Sequence, residues 1–136
     1  MEITYSKEET IKLIEEYYKR LEDREVKASI SARKECVGLY EVDGCVTTIS
    51  VTEKMEIGGM QKDVKETISQ EEFKKILRAL FDLYGFELTN VTLNDGLNSR
   101  WEGYGMGEYE VKSAYFKGVT INVNKKKNVT LGKVMK

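Results

Sequence analysis

Residues 6–31 and 69–93 carry the same pattern of apolar and polar positions. Each opens on Ser-x-Glu-Glu, at Ser6 and at Ser69. In the first, Ile11, Ile14, Tyr18 and Leu21 recur at helical spacing, with Leu13 and Tyr17 widening the stripe. That predicts a helix over 6–22. In the second, Phe73, Ile76, Leu77, Leu80 and Tyr84 do the same, with Phe81 beside them, and predict a helix over 70–84. Ser6 with Glu9, and Ser69 with Glu72, have the spacing of capping boxes. Gly85 stands where a left-handed residue ends a helix.

After each helix the period changes from helical to alternating. Alternation over 26–32, 36–42, 45–52 (reaching 57), 61–68, 86–94, 109–116 and 119–124 predicts strands. Asp43-Gly44, Gly58-Gly59 and Lys117-Gly118 supply hairpin turns between neighbouring runs. The mixed charges of Lys62, Asp63, Lys65 and Glu66 suit a solvent-facing edge, where they discourage edge-to-edge pairing. Each helix has one apolar stripe and each strand has one apolar face. The expected fold class is therefore α+β: an antiparallel sheet with two helices on one face. It is expected as one domain over 1–136, built from similar halves at 6–68 and 69–124 related by a pseudo-twofold, with a basic tail at 125–136.

Composition then excludes whole classes of chemistry. There is no histidine, so Ser-His-Asp, Cys-His and histidine-based metal sites are ruled out. No metal and no cofactor are expected. The 22 basic and 23 acidic residues nearly cancel, so no overall field draws in a polyanion, and direct nucleic-acid binding is not expected. The row Glu8, Glu15 and Glu22 is acidic, but Lys12 and Lys19 follow Glu8 and Glu15 by four residues, and Arg20 follows Glu16 likewise. That order favours helix ion pairs and a solvated face. No apolar run approaches a membrane span and no signal peptide is apparent, so the expected compartment is the cytoplasm, with no membrane partner. Under the Asp43-Gly44 turn, Val42 faces Cys45 and Cys36 faces Val51. The two cysteines then lie about 20 Å apart along the ladder, too far for a disulfide. Both are expected as small buried apolar residues.

Candidate chemistry concentrates in 94–109, which breaks the alternation on either side and is expected as a long loop. Trp101 and Tyr104 can stack on a planar ligand or anchor a protein partner. Arg100 can grip a carboxylate or phosphate. Asn98 and Tyr109 complete the candidate ligand- or partner-binding set. The competing reading makes Trp101 a cap on the core and the glycines simple turns. Gly103-Tyr-Gly-Met-Gly107 is not a nucleotide loop, because a strand rather than a helix follows it. No catalytic residue is assigned; the carboxylates are too scattered to define a pair.

The Lys/Glu/Ile-rich composition, the capped Ser6-Lys-Glu-Glu and Ser69-Gln-Glu-Glu starts and the aromatic/Gly stretch 101–109 resemble small proteins of phages and mobile elements of low-GC Gram-positive bacteria. That style of protein includes inhibitors of bacterial defence, anti-CRISPR proteins among them, and nucleotide-sequestering proteins. The resemblance implies a non-enzymatic inhibitor that occludes a protein or nucleic-acid site of a host defence effector. Its alternatives are a sequestering protein for a small nucleotide signal and a carboxylate-based enzyme.

Overall fold

A computed structural model describes the backbone of residues 1–37, 40–103 and 109–126, and the side chains of 1–34, 45–98, 103 and 113–126. The elements follow in the order β1 (Glu2–Ser6), α1 (Lys7–Leu21), β2 (Lys27–Val37), β3 (Tyr40–Ile57), β4 (Met60–Ile68), α2 (Gln70–Leu83), β5 (Phe86–Glu102) and β6 (Tyr109–Lys125). The class is mixed α+β. The single sheet expected from the sequence is instead two three-stranded antiparallel sheets, β1-β6-β5 and β2-β3-β4. The order strand–helix–strand–strand occurs twice, and each run lends its first strand to the other's hairpin. Thus β1 pairs with β6, and β4 pairs with β3.

The helices form where the caps predict. Ser6 Oγ accepts from the Glu9 N–H at 3.2 Å, and the Glu9 carboxylate accepts from the Ser6 N–H at 2.9 Å. At the second helix Ser69 Oγ accepts from the Glu72 N–H at 3.1 Å, but among the described residues the return bond from Glu72 is not made, so that box is half formed. The buried row of α1 is Thr10, Ile14 and Tyr18 rather than a row ending on Leu21, which is 41% exposed. Thr10 enters the core because its hydroxyl donates to the Ser6 carbonyl at 2.7 Å and arrives there already satisfied. In α2, Phe73, Ile76, Leu77, Leu80 and Phe81 are buried. Tyr84 lies outside: its hydroxyl donates to the Glu16 carboxylate and its ring lies 5.7 Å from the Arg20 guanidinium. Arg20 also pairs with Glu16 at 2.9 Å.

The strand bounds depart from the sequence reading in several places. Asp43-Gly44 is not the hairpin turn; it lies inside β3, opposite a register shift between Lys34 and Cys36. The pairing runs on past it to Val37 with Tyr40, so Lys34 faces Cys45 and Cys36 faces Glu41. Lys117-Gly118 is not a turn either. Asn94 pairs with Gly118 and Asp95 with Phe116, which leaves Lys117 as an extra residue in a bulge within one continuous strand. Lastly, β1 has a readable alternation in Ile3 and Tyr5, but it is too short for the pattern to stand out. Gly58-Gly59 does turn the chain, with φ of 63° and 78°.

The core is one cluster drawn from both helices and both sheets. Val119 and Ile121 of β6 are fully buried, as are Ile14, Phe73, Leu77 and Leu80. Gly118 has φ of 144°, and a β-carbon there would collide with the Tyr5 carbonyl, where β1 gives way to α1. Gly118→Ala is expected to cost about 3–5 kcal/mol, because both the backbone and the space refuse a side chain. Gly58→Ala, in open space at a positive φ, is expected to cost about 1 kcal/mol. Urea unfolding of the two variants measures the difference; equal costs would remove Gly118 from its role as the close-approach point.

Candidate functional site

The sequence places its candidate residues beyond the Asn94/Asp95 bulge, and there the structure differs from a long loop. β5 continues to Glu102 and β6 begins at Tyr109, in register through Leu97 with Ala114, Asn98 with Ser113, Arg100 with Val111 and Trp101 with Glu110. Arg100, Trp101 and Tyr109 therefore sit on strand backbone; their side chains, and all of Tyr104, lie outside the described residues. The alternation looked broken for a local reason. The bulge inserts Lys117 into β6, so the inward side of the ladder changes parity between Phe116 and Val119, both of which are buried.

Just past the bulge, over 96–98 and 113–115, the described side chains leave the core. Leu97 is 38% exposed and its neighbour Asn98 is also exposed. Consecutive strand residues point to opposite faces, so both faces meet solvent. On the facing strand Tyr115 is 38% exposed and Ser113 and Lys117 are exposed. The stretch Asp95–Glu102 spans about 25 Å at the usual strand rise. Gly96 is where this hairpin is anchored. A β-carbon there would lie 2.8 Å from the Tyr115 ring, which occupies the space the glycine leaves. The Cys45 thiol of β3 points at the Gly96 carbonyl at 3.8 Å, a weak S–H donor contact between the two hairpins.

Cys45 is half-buried and free, rather than fully buried as the sequence reading had it; Cys36's side chain lies outside the described residues. Burial pushes the Cys45 thiol above its ordinary pKa, and the Asp95 carboxylate beside it pushes the same way. A raised thiol pKa keeps the group protonated at neutral pH, which opposes nucleophilic chemistry. Tyr18 is strongly shifted. Burial, then Glu72, Glu22 and Glu66, push its phenol up to about 12, so it remains neutral under its Arg24 neighbour. Among the described residues no group of three histidine, cysteine, aspartate or glutamate side chains is placed to hold a metal.

The acidic face of α1 is largely used internally. Glu15 accepts from the Ala28 N–H at 2.9 Å and so caps an outward donor of edge strand β2. Glu22 accepts from Tyr17 at 3.0 Å and pairs with Arg24 at 3.1 Å, while Arg24 also grips Glu53 at 2.7 Å. Four of the clefts on the described surface are each lined by at least two carboxylates. One lies between the helices at Tyr17, Glu22, Glu71, Glu72 and Lys75. A second lies by Arg24, Glu53, Val64 and Glu66, and a third by Glu9, Asp95 and Lys117. The fourth is lined by Glu25, Glu53 and Asp63 with two lysines. The third sits at the start of α1, but the capping box has already taken the N–H groups of Ser6 and Glu9 there.

The sequence reading places 61–68 at a solvent-facing edge; what it missed is that this second ribbon also exposes apolar residues. The outer parts of β3 and β4 carry Met55, Ile57, Met60 and Val64 at 36–59% exposure. Its signal was present in the alternation of Met55 and Ile57. No helix of the described residues is long and apolar enough to cross a membrane. Comparison with protein-family models, with curated proteins and with solved structures gives no match.

The thiol environment makes a pH prediction. In a Cys36→Ser background, Cys45 is expected to react slowly with a thiol reagent at pH 8. Its rate should keep rising beyond the ordinary cysteine value of about 8.5. The check is the rate of modification against pH, with the Asp95→Asn variant shifting the midpoint downward. A midpoint below that of free cysteine would contradict the environment described.

Proposed function

We propose that the protein is a non-enzymatic binding protein that acts by occluding a macromolecular surface, with the β5–β6 hairpin as its contact element. The observation that carries this reading is the exposure of both faces over the described part of that hairpin just beyond the Asn94/Asp95 bulge, at Leu97, Asn98 and Tyr115. A two-faced ribbon suits a large partner, whereas a small molecule needs to be enclosed. Asn98, Arg100, Trp101, Tyr104 and Tyr109 are proposed as the contact residues, because the stretch combines aromatic anchors with a forked cation.

The alternative, a sequestering protein for a small nucleotide, has less support. Phosphates seek cationic or N–H-lined hollows. Each of the four clefts described here sets at least two carboxylates beside its cations. The resemblance to phage and mobile-element proteins directs the choice of first targets toward bacterial defence effectors, CRISPR nucleases among them.

The test is phage plating on hosts with active CRISPR immunity, with and without this protein expressed. Restored plating is the expected result, followed by affinity for the purified effector measured by calorimetry. Arg100→Ala is expected to leave the melting temperature nearly unchanged and to weaken binding by about 1.5–3 kcal/mol, the range for a lost charge-assisted hydrogen bond. Unchanged affinity in Arg100→Ala and Tyr104→Ala would move the contact off this hairpin. A nucleotide released on denaturing the purified protein would favour the alternative.

A further inference from the structure

We propose that β4 is the contact through which two copies of this chain associate, strand against strand and antiparallel, about a twofold axis at Val64. β4 is an edge of its sheet, paired on one side only, with β3. Every residue from Met60 to Thr67 is exposed. An edge this long and uncovered presents a row of unpaired backbone groups, which is a template for another strand.

Its side chains select what that strand can be. Centred on Val64, antiparallel self-pairing sets Lys62 against the second copy's Glu66 and Asp63 against the second copy's Lys65. It also sets Gln61 against Thr67 and Met60 against Ile68. By symmetry each of these pairs occurs twice, so four opposite-charge pairs flank a central Val64–Val64 contact. Neighbouring registers do not work. Centring on Asp63 or on Lys65 sets that residue against itself. Centring between Asp63 and Val64 opposes Lys62 to Lys65, and centring between Val64 and Lys65 opposes Asp63 to Glu66. Directly opposed like charges are destabilising and unlike ones stabilising. A mixed-charge edge therefore rejects strands of arbitrary sequence and accepts its own reversed copy. Among the described residues none of Lys62, Asp63, Lys65 and Glu66 is engaged in an ion pair within the chain.

The apolar positions point the same way. Opposed residues of an antiparallel pair share a face, so Met60 and Val64 lie with Ile57 and Glu53 on the face that also carries Val51, Ile49 and Ile68. That face is buried at Ile49, Val51 and Ile68, and its outer residues Met55, Ile57, Met60 and Val64 remain in solvent. The Val64 register places the outer Met60 of each copy beside Ile68 of the other, at the margin of its core. Contiguous exposed apolar positions of this kind mark an interface.

Sedimentation equilibrium up to about 100 µM tests the proposal, with the wild-type mass expected to rise toward twice the chain mass. Lys62→Glu and Glu66→Lys are the probes, because their opposite residues within the chain, Met55 and Val51, carry no charge. Each variant alone should weaken self-association about tenfold or more, since two attractive pairs become repulsive. Mixing the two variants should restore association as a mixed dimer, and so should both changes in one chain. Melting curves on each variant establish that it is folded. A wild type that stays monomeric, variants that associate as well as the wild type, or a mixture that does not associate would each overturn the proposal. The first of these would leave β4 open to a strand from another protein.

Discussion

The pairing of β1 with β6 is the constraint on which the other elements depend. β6 is the centre of its sheet, and Val119 and Ile121 are fully buried there. A central strand must be paired on both sides or leave buried N–H and C=O groups unsatisfied. β5 satisfies one side. The other is met by only five residues, Glu2–Ser6, with the Met1 ammonium and carbonyl adding two contacts to Val123. Immediately after pairing, the same residues must cap α1, and Ser6 does both: it opposes Gly118 and accepts from Glu9. Gly118 is glycine because strand pairing and helix start occur within one residue of each other.

The second sheet repeats that arrangement. Ile68 opposes Ile49, which opposes Ile30, and Ser69 then caps α2. In the first sheet the matching row is Tyr5, Val119 and Leu93, followed by Ser6. Both rows place the last residue before the helix cap against the middle strand of the sheet. Each helix is thus fixed at its start to a sheet whose hairpin belongs to the other half of the chain. Separating the two strand–helix–strand–strand runs, between β3 and β4, would unpair a central strand in each sheet.

This explains which features were legible beforehand. Helix ends depend on local chemistry: Ser6, Glu9 and Ser69 announced the starts, and Gly85 announced the finish of α2. The Gly58-Gly59 turn is local in the same way. Strand partners are not local. Asp43-Gly44 has turn chemistry, yet the pairing of Ile30 with Ile49 sets the register, and that register carries the pairing on to Val37 with Tyr40 and turns Asp43-Gly44 into an irregularity. Lys117-Gly118 was misread because Gly118 answers to Tyr5, far away in sequence, rather than to a reversal. The candidate site inherits the same limit. The unusual composition of 94–109 was plain, but the bulge that carries Asp95–Glu102 forward as strand follows from burial of Phe116 and Val119 on either side of it. Asn98 is exposed as a contact residue requires, and Arg100 and Trp101 belong to a strand whose pairing the pattern alone did not reveal.

The four sheet edges are treated differently, and the differences bear on what the surface can do. β1 is short. Along β2, Glu15 of α1 takes the Ala28 N–H. At β5, α2 packs against its first half, and Lys126 reaches the Asp82 carboxylate beside it. β4 has neither a helix over it nor an acceptor from elsewhere among the described residues; it has only charge. An edge protected by charge alone is protected against strangers, because repulsion depends on the order of signs in the incoming strand. A helix would cover the edge against every strand equally. Where natural edges are so often covered or cut short, an eight-residue exposed run whose signs read as their own complement retains a pairing surface that a helix would have removed.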